Sequence, residues 1–324
     1  MPVFGLITPA EQKMIVTVNP NTCIDRTLVV PEIILNRTIR ASRFALGMGG
    51  KAADASWILG EYGIPSLALG FSAGASGIQM EKMLRTKGVQ TDFTHVDGET
   101  RMHTVVVMED GSGQTTFAAP SLIVRPEHVV ELESRYDRAL EDASCVVIGG
   151  TLPIGVPDSL YLRMISKAVT KGIPVVLDAS GSCLMAGMEG HPTILKPNRD
   201  ELEELSGREF NTLEDVLNFC KEVRDRFGSQ VVATLGSEGI LAVTNEKAYR
   251  IPPLPVNIIS TAGAGDGILA GLAASLSAGW PLEVGLRLGA AMAGAVCMQL
   301  ATADCHKTDI ERLLPLVELL PFEE

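Results

Sequence analysis

Residues 260–271 read STAGAGDGILAG, in which Gly263, Ala264 and Gly265 precede a carboxylate at the start of an apolar run. Bare N–H groups at a helix N-terminus can bind an anion, because small side chains allow close approach and the helix dipole favours negative charge. Asp266, directly behind them, could then act as a general base. Asp is also favoured in a first turn as a simple cap. The stretch alone predicts either a helix cap or an anion hole with a base at its edge.

A second stretch that could handle phosphate is KPNRDEL at 196–202, which follows an apolar strand and places Lys196 and Asn198 at the strand end. Asn198 and Glu201 are three residues apart, so they share one face of a helix that begins here. Carboxylate and amide oxygens there could hold a hydrated Mg²⁺, or the phosphate it accompanies, through water.

Three further strands end in polar or glycine-rich turns. VNPNTCIDRT at 18–27 places Asp25 where it could accept hydrogen bonds from ligand hydroxyls, and GGTLPIGVP at 149–157 ends in a Pro-Gly turn. TLGSEGIL at 234–241 offers two glycines against which an adenine could lie. Ligands bind at the carboxyl ends of strands in open α/β sheets, so these turns are candidate site elements.

The glycine-rich segment ALGMGGKAADAS at 45–56 formally resembles two nucleotide motifs and fails both. A dinucleotide fingerprint needs a clear strand before it and an acidic residue about 20 positions later, and neither is present. A P-loop needs Gly where Ala45 stands, and Ser or Thr where Ala52 stands. A Gly49-Gly50 turn that opens a helix remains, and a polar ligand can approach it closely.

Composition narrows the protein class. The 324 residues are 46% hydrophobic and 20% charged, as expected for a globular protein, and the net charge of −12 argues against a nucleic-acid surface. The six scattered cysteines form no metal-finger spacing and predict buried free thiols in a reducing, cytoplasmic setting. Residues 1–13 predict a short extension rather than a signal peptide, and no apolar run is suited to crossing a membrane.

Apolar strands alternate with amphipathic helices from Met14 onward, which predicts a mostly parallel sheet covered on both faces. Two segments, at about 26–46 and 99–119, depart from this alternation and are richer in Thr, Arg and Val. The second contains a hairpin signal, Asp110-Gly111-Ser112-Gly113. Both segments predict a small β-sheet lid that projects from one continuous core.

Together, TAGAGD, KPNRDEL, VNPNTCIDRT and GGTLPIGVP resemble the ribokinase-type (PfkB) family of carbohydrate kinases, from about Met14 to the C-terminus. They are most similar to its sugar-phosphate kinase branch, which includes 1-phosphofructokinase and tagatose-6-phosphate kinase. The resemblance implies a single ribokinase-like domain over 1–324, a three-layer αβα sandwich with a β-sheet lid. It implies ATP-dependent phosphorylation of a sugar-phosphate hydroxyl with Mg²⁺, and a monovalent cation such as K⁺ as a further expectation.

The resemblance also implies a role for each matching residue. Gly263, Ala264 and Gly265 would form the anion hole, and Asp266 would be the general base. The residues implied for the substrate are Asp25, Gly49, Gly50, Lys51, Asp54, Arg101 and Thr151. Those implied for the nucleotide are Lys196, Asn198, Thr234, Gly236 and Gly239, with Asn198 and Glu201 organising Mg²⁺ through water.

One departure puts the substrate in question. The family usually has Gly-Gly-Lys-Gly-x-Asn where this chain has Gly-Gly-Lys-Ala-Ala-Asp54. A carboxylate in place of an amide would repel a sugar phosphate, whereas it could help to bind bare hydroxyls. Arg37, Arg40, Arg43 and Arg101 favour a sugar phosphate instead. The alternatives are a kinase of an unphosphorylated sugar or nucleoside, and a sugar-binding regulator without turnover. Exposed edges of the lid favour a homodimer.

Overall fold

The computed structural model describes residues 13–322, so nearly all of the extension predicted at 1–13 lies outside the described residues. The strands are β1 Met14–Asn19, β2 Cys23–Val30, β3 Arg43–Gly49, β4 Ser66–Ser72, β5 Gln90–Thr91, β6 Thr94–His95, β7 Arg101–Met108, β8 Gln114–Phe117, β9 Ala143–Gly149, β10 Val175–Asp178, β11 Ile194–Leu195, β12 Gln230–Thr234, β13 Ile240–Val243, β14 Ala248–Ile251 and β15 Leu320–Pro321. The helices are α1 Lys51–Tyr62, α2 Gly74–Thr86, α3 Pro126–Ala139, α4 Ser159–Thr170, α5 Gly181–Met188, α6 Arg199–Ser206, α7 Leu213–Phe227, α8 Ala264–Ala278, α9 Leu282–Cys297 and α10 Lys307–Leu313.

The main sheet has the strand order β15-β14-β13-β12-β11-β10-β9-β1-β4-β5. From β12 to β5 the strands are parallel, as their short, β-branched, apolar sequences predict. The last three strands, β13 to β15, are antiparallel. Strand β11 is short, because only Ile194 and Leu195 pair with both neighbours.

Helices cover both faces of this sheet and form two separate cores. Successive side chains of a strand point to opposite faces, so Ile15 packs in one core and Val16 in the other. Helices α1, α2, α8, α9 and α10 contribute to the first core, and α3 to α7 contribute to the second. The predicted three-layer α/β architecture is therefore confirmed. Within the described residues, no helix is long and apolar enough to cross a membrane.

The second, smaller sheet has the order β3-β2-β7-β8. Strand β2 pairs antiparallel with β3 and parallel with β7, and β7 and β8 flank the predicted Asp110–Gly113 turn. The strands extend beyond the predicted lid segments, from Cys23 instead of 26 and to Gly49 instead of 46. This extension places Asp25 and Gly49 in the small sheet itself, at the end next to α1.

Candidate active site

Helix α8 begins at Ala264, and Gly263 is its N-cap with a left-handed backbone (φ 85°). Only glycine suits this position, because a Cβ on Gly263 would lie 2.5 Å from the backbone nitrogen of Ala303. A Cβ on Gly265 would meet only Lys196 Nζ, at 3.5 Å. The turn therefore needs a glycine at position 263 for its backbone geometry. At Gly265 the absence of a side chain leaves space beside the ammonium group of the buried Lys196.

Asp266 lies in the first turn of α8 and is 8% exposed. Burial and the negative charge of Asp178 raise its pKa to about 7, against the attraction of Lys196 and Lys51. A carboxyl group with a pKa near neutrality is well matched to general-base catalysis. The N-cap position is Gly263, which has no side chain to cap the helix, and a role of Asp266 as the base remains a prediction.

The Gly49-Gly50 turn opens α1, as predicted. Gly50 has φ 110°, and a Cβ there would lie 2.5 Å from Asn19 Nδ2. Asn19, at the end of β1, accepts a hydrogen bond from the backbone N–H of Ala52 at 3.3 Å, which fixes the start of the helix. Asp54 follows one turn later and is almost fully buried. The Gly-Gly turn therefore serves to bring α1 close against the central strand.

Asp54 donates a side-chain hydrogen bond to Asp266. Burial, reinforced by the negative charges of Asp266 and Asp25, raises the pKa of Asp54 well above its usual value. A protonated carboxylic acid carries one O–H donor, so a protonated Asp54 would offer a hydrogen-bond donor at the position where the PfkB family usually carries an amide.

Four charged side chains meet beside Asp266. Lys51 Nζ lies 2.6 Å from Asp178 Oδ1 and 2.6 Å from Glu201 Oε1. Lys196 Nζ lies 2.8 Å from Asp178 Oδ2, and both of these side chains are buried. Burial opposes the charge of Lys51, but the attraction of Asp178 and Glu201 outweighs it and raises the pKa of this lysine. The two lysines and the two carboxylates thus form a charge-balanced network next to the helix N-terminus.

Sequence reasoning did not select Asp178, although the run VVLD ends a strand with a carboxylate, as VNPNTCID does. Asn19, Asn21 and Gln114 were missed as well. Lys51 was assigned to the substrate, and its ammonium group instead contacts Asp178 and Glu201. A direct contact between Lys51 and a sugar remains a prediction.

Asn198 and Glu201 form a capping box at the start of α6. Asn198 Oδ1 accepts a hydrogen bond from the Glu201 backbone N–H at 2.8 Å, and Glu201 Oε2 accepts one from the Asn198 backbone N–H at 2.9 Å. Lys51 contacts the other oxygen of Glu201, and a magnesium ion held here through water remains a prediction. Thr234 forms a backbone bridge to Asn198, which connects this element to the next strand.

An apolar cavity of about 480 Å³ lies beside these elements. Thr234, Gly236 and Gly239 line one side, and Ala264 and Gly265 line another. Gly239 has a left-handed backbone in which a Cβ would collide with the Ile251 carbonyl oxygen, so the wall stays flat. One end of the cavity can thus accept a planar apolar group. The other end reaches the N-terminus of α8.

The residues predicted for the substrate lie mainly at the end of the small sheet. Asp25 neighbours Cys23 and His103, while Arg101 Nη2 donates to the Asn21 carbonyl oxygen at 2.7 Å. Burial raises the pKa of Asp25, and the hydrogen bond from Cys23 and the charges of His103 and Arg101 act in the opposite direction. Asn21 Nδ2 also donates to Thr151 Oγ1 at 2.8 Å, which joins the β9 turn to this group. Arg37, Arg40 and Arg43 are exposed.

One contact connects the small sheet with the loop before α8. Gln114 Oε1, on β8, accepts hydrogen bonds from Ser260 Oγ at 3.0 Å and from the Thr261 backbone N–H at 3.3 Å. The Ser260 hydroxyl in turn accepts from the Ala262 backbone N–H at 3.2 Å. The position of the lid is therefore coupled to the backbone that carries the bare helix turn.

A family model described as pfkB family carbohydrate kinase matches residues 15–309. The chain belongs to the pfkB family. It is an ATP-dependent carbohydrate kinase, as expected from the TAGAGD and KPNRDEL stretches. Among its relatives is the 1-phosphofructokinase of Bacillus subtilis, which is 28% identical over 308 residues and covers 94% of this chain and 99% of that enzyme.

Solved structures of the pfkB family agree with the fold. Phosphofructokinase-2 from Escherichia coli in complex with substrates and products superposes with a TM-score of 0.87 at 26% identity, covering 94% of this chain and 99% of that one. The same enzyme in complex with potassium gives a TM-score of 0.85 at 27% identity, covering 94% and 98%. The small sheet and the main sheet of this chain thus match a ribokinase-like fold over almost the whole length.

Proposed function

We propose that this pfkB family kinase transfers the γ-phosphoryl group of ATP to a hydroxyl of a phosphorylated ketohexose, in the manner of a 1-phosphofructokinase or tagatose-6-phosphate kinase. The observation that carries the proposal is the position of Asp266. It is a buried carboxylate with a pKa of about 7, one turn inside a helix whose bare N-terminus opens onto the apolar cavity. The resemblance of the full chain to a 1-phosphofructokinase supports the substrate class.

In this mechanism the apolar cavity binds the adenine nucleotide, and its phosphates extend toward Gly263, Ala264 and Gly265. The N–H groups of the helix turn stabilise the negative charge that develops on the γ-phosphoryl oxygens. Loss of one such donor typically costs about 3–4 kcal/mol of transition-state stabilisation. Lys196, whose ammonium group would lie 3.5 Å from a Cβ on Gly265, adds positive charge at the same place.

Asp266 takes the proton of the sugar hydroxyl while that oxygen forms a bond to the γ-phosphorus and the bond from phosphorus to the ADP oxygen breaks. Asp25 accepts hydrogen bonds from other hydroxyls of the sugar, and Arg101 binds the phosphate that the sugar already carries. The Gln114 contacts hold the lid over the site, so water is excluded as a competing acceptor.

Magnesium fits the residues present only as a hydrated ion. Both oxygens of Glu201 already have partners, and Asn198 uses its side-chain oxygen to cap α6. These residues would hold Mg²⁺ through its water ligands, and the ion would neutralise charge on the nucleotide phosphates. By analogy with the potassium complex of phosphofructokinase-2, we also propose that a monovalent cation stimulates turnover. Assays in potassium and sodium salts at equal ionic strength compare the two.

We propose that Asp54 is protonated in the folded protein, since burial and the neighbouring carboxylates Asp266 and Asp25 raise its pKa. A protonated Asp54 would donate one hydrogen bond to Asp266 and would present no negative charge to the sugar phosphate. This protonation would remove the repulsion that the sequence suggested, which is the main argument for an unphosphorylated sugar or nucleoside as the substrate.

The proposal is tested by a coupled assay of ADP release. The candidate substrates are fructose 1-phosphate, fructose 6-phosphate, tagatose 6-phosphate and the corresponding unphosphorylated sugars, which are called bare sugars below. We expect turnover with at least one sugar phosphate and little with the bare sugars. Turnover with bare sugars alone would replace the proposal with the kinase of an unphosphorylated substrate. Binding of a sugar without any ADP release would make the chain a sugar-binding regulator.

A further inference from the structure

Three metal-ligating side chains of different chemistry meet at the end of the small sheet. Cys23 and Asp25 are two residues apart on β2, so they point to the same face, and His103 is the cross-strand neighbour of Asp25 on β7. The parallel register of β2 and β7 therefore forces a thiol, a carboxylate and an imidazole together. Gly49, opposite Cys23 on β3, leaves the space free, since a Cβ there would collide with the Cys23 sulfur and with Asp25 Oδ1.

The distances between the three donor atoms are those of a tetrahedral metal site. Cys23 Sγ lies 3.5 Å from Asp25 Oδ1 and 3.6 Å from His103 Nδ1, and His103 Nδ1 lies 3.5 Å from Asp25 Oδ1. Bonds of about 2.3 Å to sulfur and about 2.0–2.1 Å to nitrogen and oxygen, at tetrahedral angles, separate ligand atoms by about 3.3–3.6 Å. One cation can thus contact all three atoms with little movement of the backbone.

We propose that Cys23, Asp25 and His103 form a binding site for a thiophilic divalent cation of the zinc type. Three protein ligands leave a fourth position for water, as in open zinc sites. A thiolate ligand selects zinc over magnesium, which prefers oxygen ligands alone. The thiol proton leaves to solvent as the sulfur–metal bond forms, so the metal oxidation state does not change.

The surrounding groups are suited to such a cation. Cys23 is 1% exposed, whereas the His103 and Asp25 side chains are 14% and 10% exposed, which leaves a path for an ion. His103 Nε2 is buried without a hydrogen-bond partner among the described residues. Arg101 is the nearby positive charge that opposes a cation here.

The consequence for catalysis rests on the proposed function. A bound cation occupies the Asp25 carboxylate that we assign to the sugar hydroxyls, so metal and sugar exclude each other. We expect micromolar zinc to inhibit phosphorylation competitively with the sugar phosphate, and the sugar phosphate to weaken metal binding in turn. The site would make the kinase sensitive to free zinc through a pair of residues, Cys23 and His103, that the phosphoryl transfer itself does not use.

Cobalt(II) is the direct probe, because a cobalt–thiolate bond gives a near-ultraviolet charge-transfer band and tetrahedral cobalt absorbs strongly in the visible. The full chain, kept reduced with a phosphine rather than a thiol, is titrated with Co²⁺ and then with Zn²⁺. We expect one equivalent of Co²⁺ to produce both signals and one equivalent of Zn²⁺ to abolish them. Cobalt binding without the charge-transfer band would overturn the proposal, as would an absence of binding.

Variants localise the site. Cys23→Ser should lose the charge-transfer band and bind about tenfold or more weakly, and His103→Gln should also bind weakly. Cys183→Ser and His95→Gln are matched controls, because they make the same kinds of substitution away from the proposed site. Cys183 Sγ is hydrogen-bonded to the Ser180 carbonyl oxygen, and His95 pairs with Glu81. An unchanged spectrum in folded Cys23→Ser would reject the site. The cobalt spectrum needs no turnover, so it decides the metal site even if no sugar phosphate proves to be a substrate.

Discussion

The buried carboxyl groups of Asp54 and Asp266 share a hydrogen bond at the point where α1 meets α8. We propose that Asp54 is the donor and stays neutral, and that Asp266 is the acceptor and acts as the base. Two carboxyl groups whose surroundings push their pKa values apart are a common way to assign an acid and a base within one site.

Replacing Asp54 tests this assignment. Asp54→Asn preserves one N–H donor to Asp266 and removes the titrating group, so we expect kcat at pH 7 within about tenfold of the wild type. We also expect the variant to retain its activity at high pH, where the wild type loses the Asp54 proton. Asp54→Leu removes the donor and should lower kcat by about 10- to 100-fold. Equal rates in the Asn and Leu variants would show that the hydrogen bond is unimportant.

Asp266 sets opposite pH dependences for activity and stability. Since the base acts when deprotonated and its pKa is about 7, kcat should rise as the pH passes through about 7, and it should fall again only at the higher pH that removes the Asp54 proton. Because the folded pKa is raised from the usual 3.8, the folded state binds this proton more tightly than the unfolded state. The stabilisation is fully present below about pH 4 and is lost as the pH rises through 7.

Asp266→Asn provides the matching variant. We expect turnover to fall by about 10²- to 10⁴-fold while nucleotide affinity, measured by calorimetry, changes little. Its free energy of unfolding, measured with urea between pH 5 and 8, should vary less with pH than that of the wild type. Normal turnover in this variant would remove Asp266 as the base.

The two glycines at the start of α8 should respond differently to alanine. A Cβ on Gly263 would collide with the Ala303 backbone and would force a left-handed conformation on alanine, so Gly263→Ala should lower the free energy of unfolding by about 1–3 kcal/mol. Gly265→Ala has space and should stay as stable as the wild type within about 0.5 kcal/mol. Its methyl group would nevertheless lie where the phosphate approaches. We expect kcat/KM for ATP to fall at least tenfold in Gly265→Ala, and normal kinetics there would argue against the anion hole.

Lys51 should act mainly by holding Asp178 and Glu201 in place. Lys51→Met removes the ion pairs of Lys51 with these two buried carboxylates. We therefore expect the free energy of unfolding to fall by about 2–4 kcal/mol. Lys167→Met removes an exposed ion pair with Asp137 and should cost less than about 1 kcal/mol. If Lys51 instead binds the sugar directly, Lys51→Met will raise KM for the sugar phosphate without a change in stability.

The lid offers apolar side chains at both of its edge strands. Phe44 on β3 and Phe117 on β8 are 62% and 57% exposed, and edge strands of this kind commonly pair with another copy. We propose a homodimer through the lid and expect light scattering to give the mass of a dimer. The double change Phe44→Glu with Phe117→Glu should give monomers, whereas Ile78→Glu, on the exposed side of α2, should not. A monomeric wild type at tens of micromolar would reject the dimer.

The sequence by itself determined the chemistry and the fold class, because both depend on short-range patterns. The period of the apolar residues defines strands and helices, and the candidate at Asn198 closely follows strand β11, as the sequence indicated. Asp25 instead lies inside β2, and Asp266 lies in the first turn of α8. The turns could also be predicted from local sequence. A glycine-rich turn suggests a left-handed backbone, and Gly50, Gly239 and Gly263 each have one. The lid boundaries were less accurate, since nothing local separates the end of β3 from the turn that follows.

Only the tertiary structure decided which of these elements meet. Strand order is not encoded in the period of any strand, so the placement of Asp178 between Lys51 and Lys196 could not be predicted. The protonation of Asp54 also depends on burial and on a partner distant in sequence. The meeting of Cys23 with His103 depends on the parallel register of two strands that the sequence separates. Residue types thus determine which reactions are available, and the packing of the helices and strands determines their charges and their neighbours.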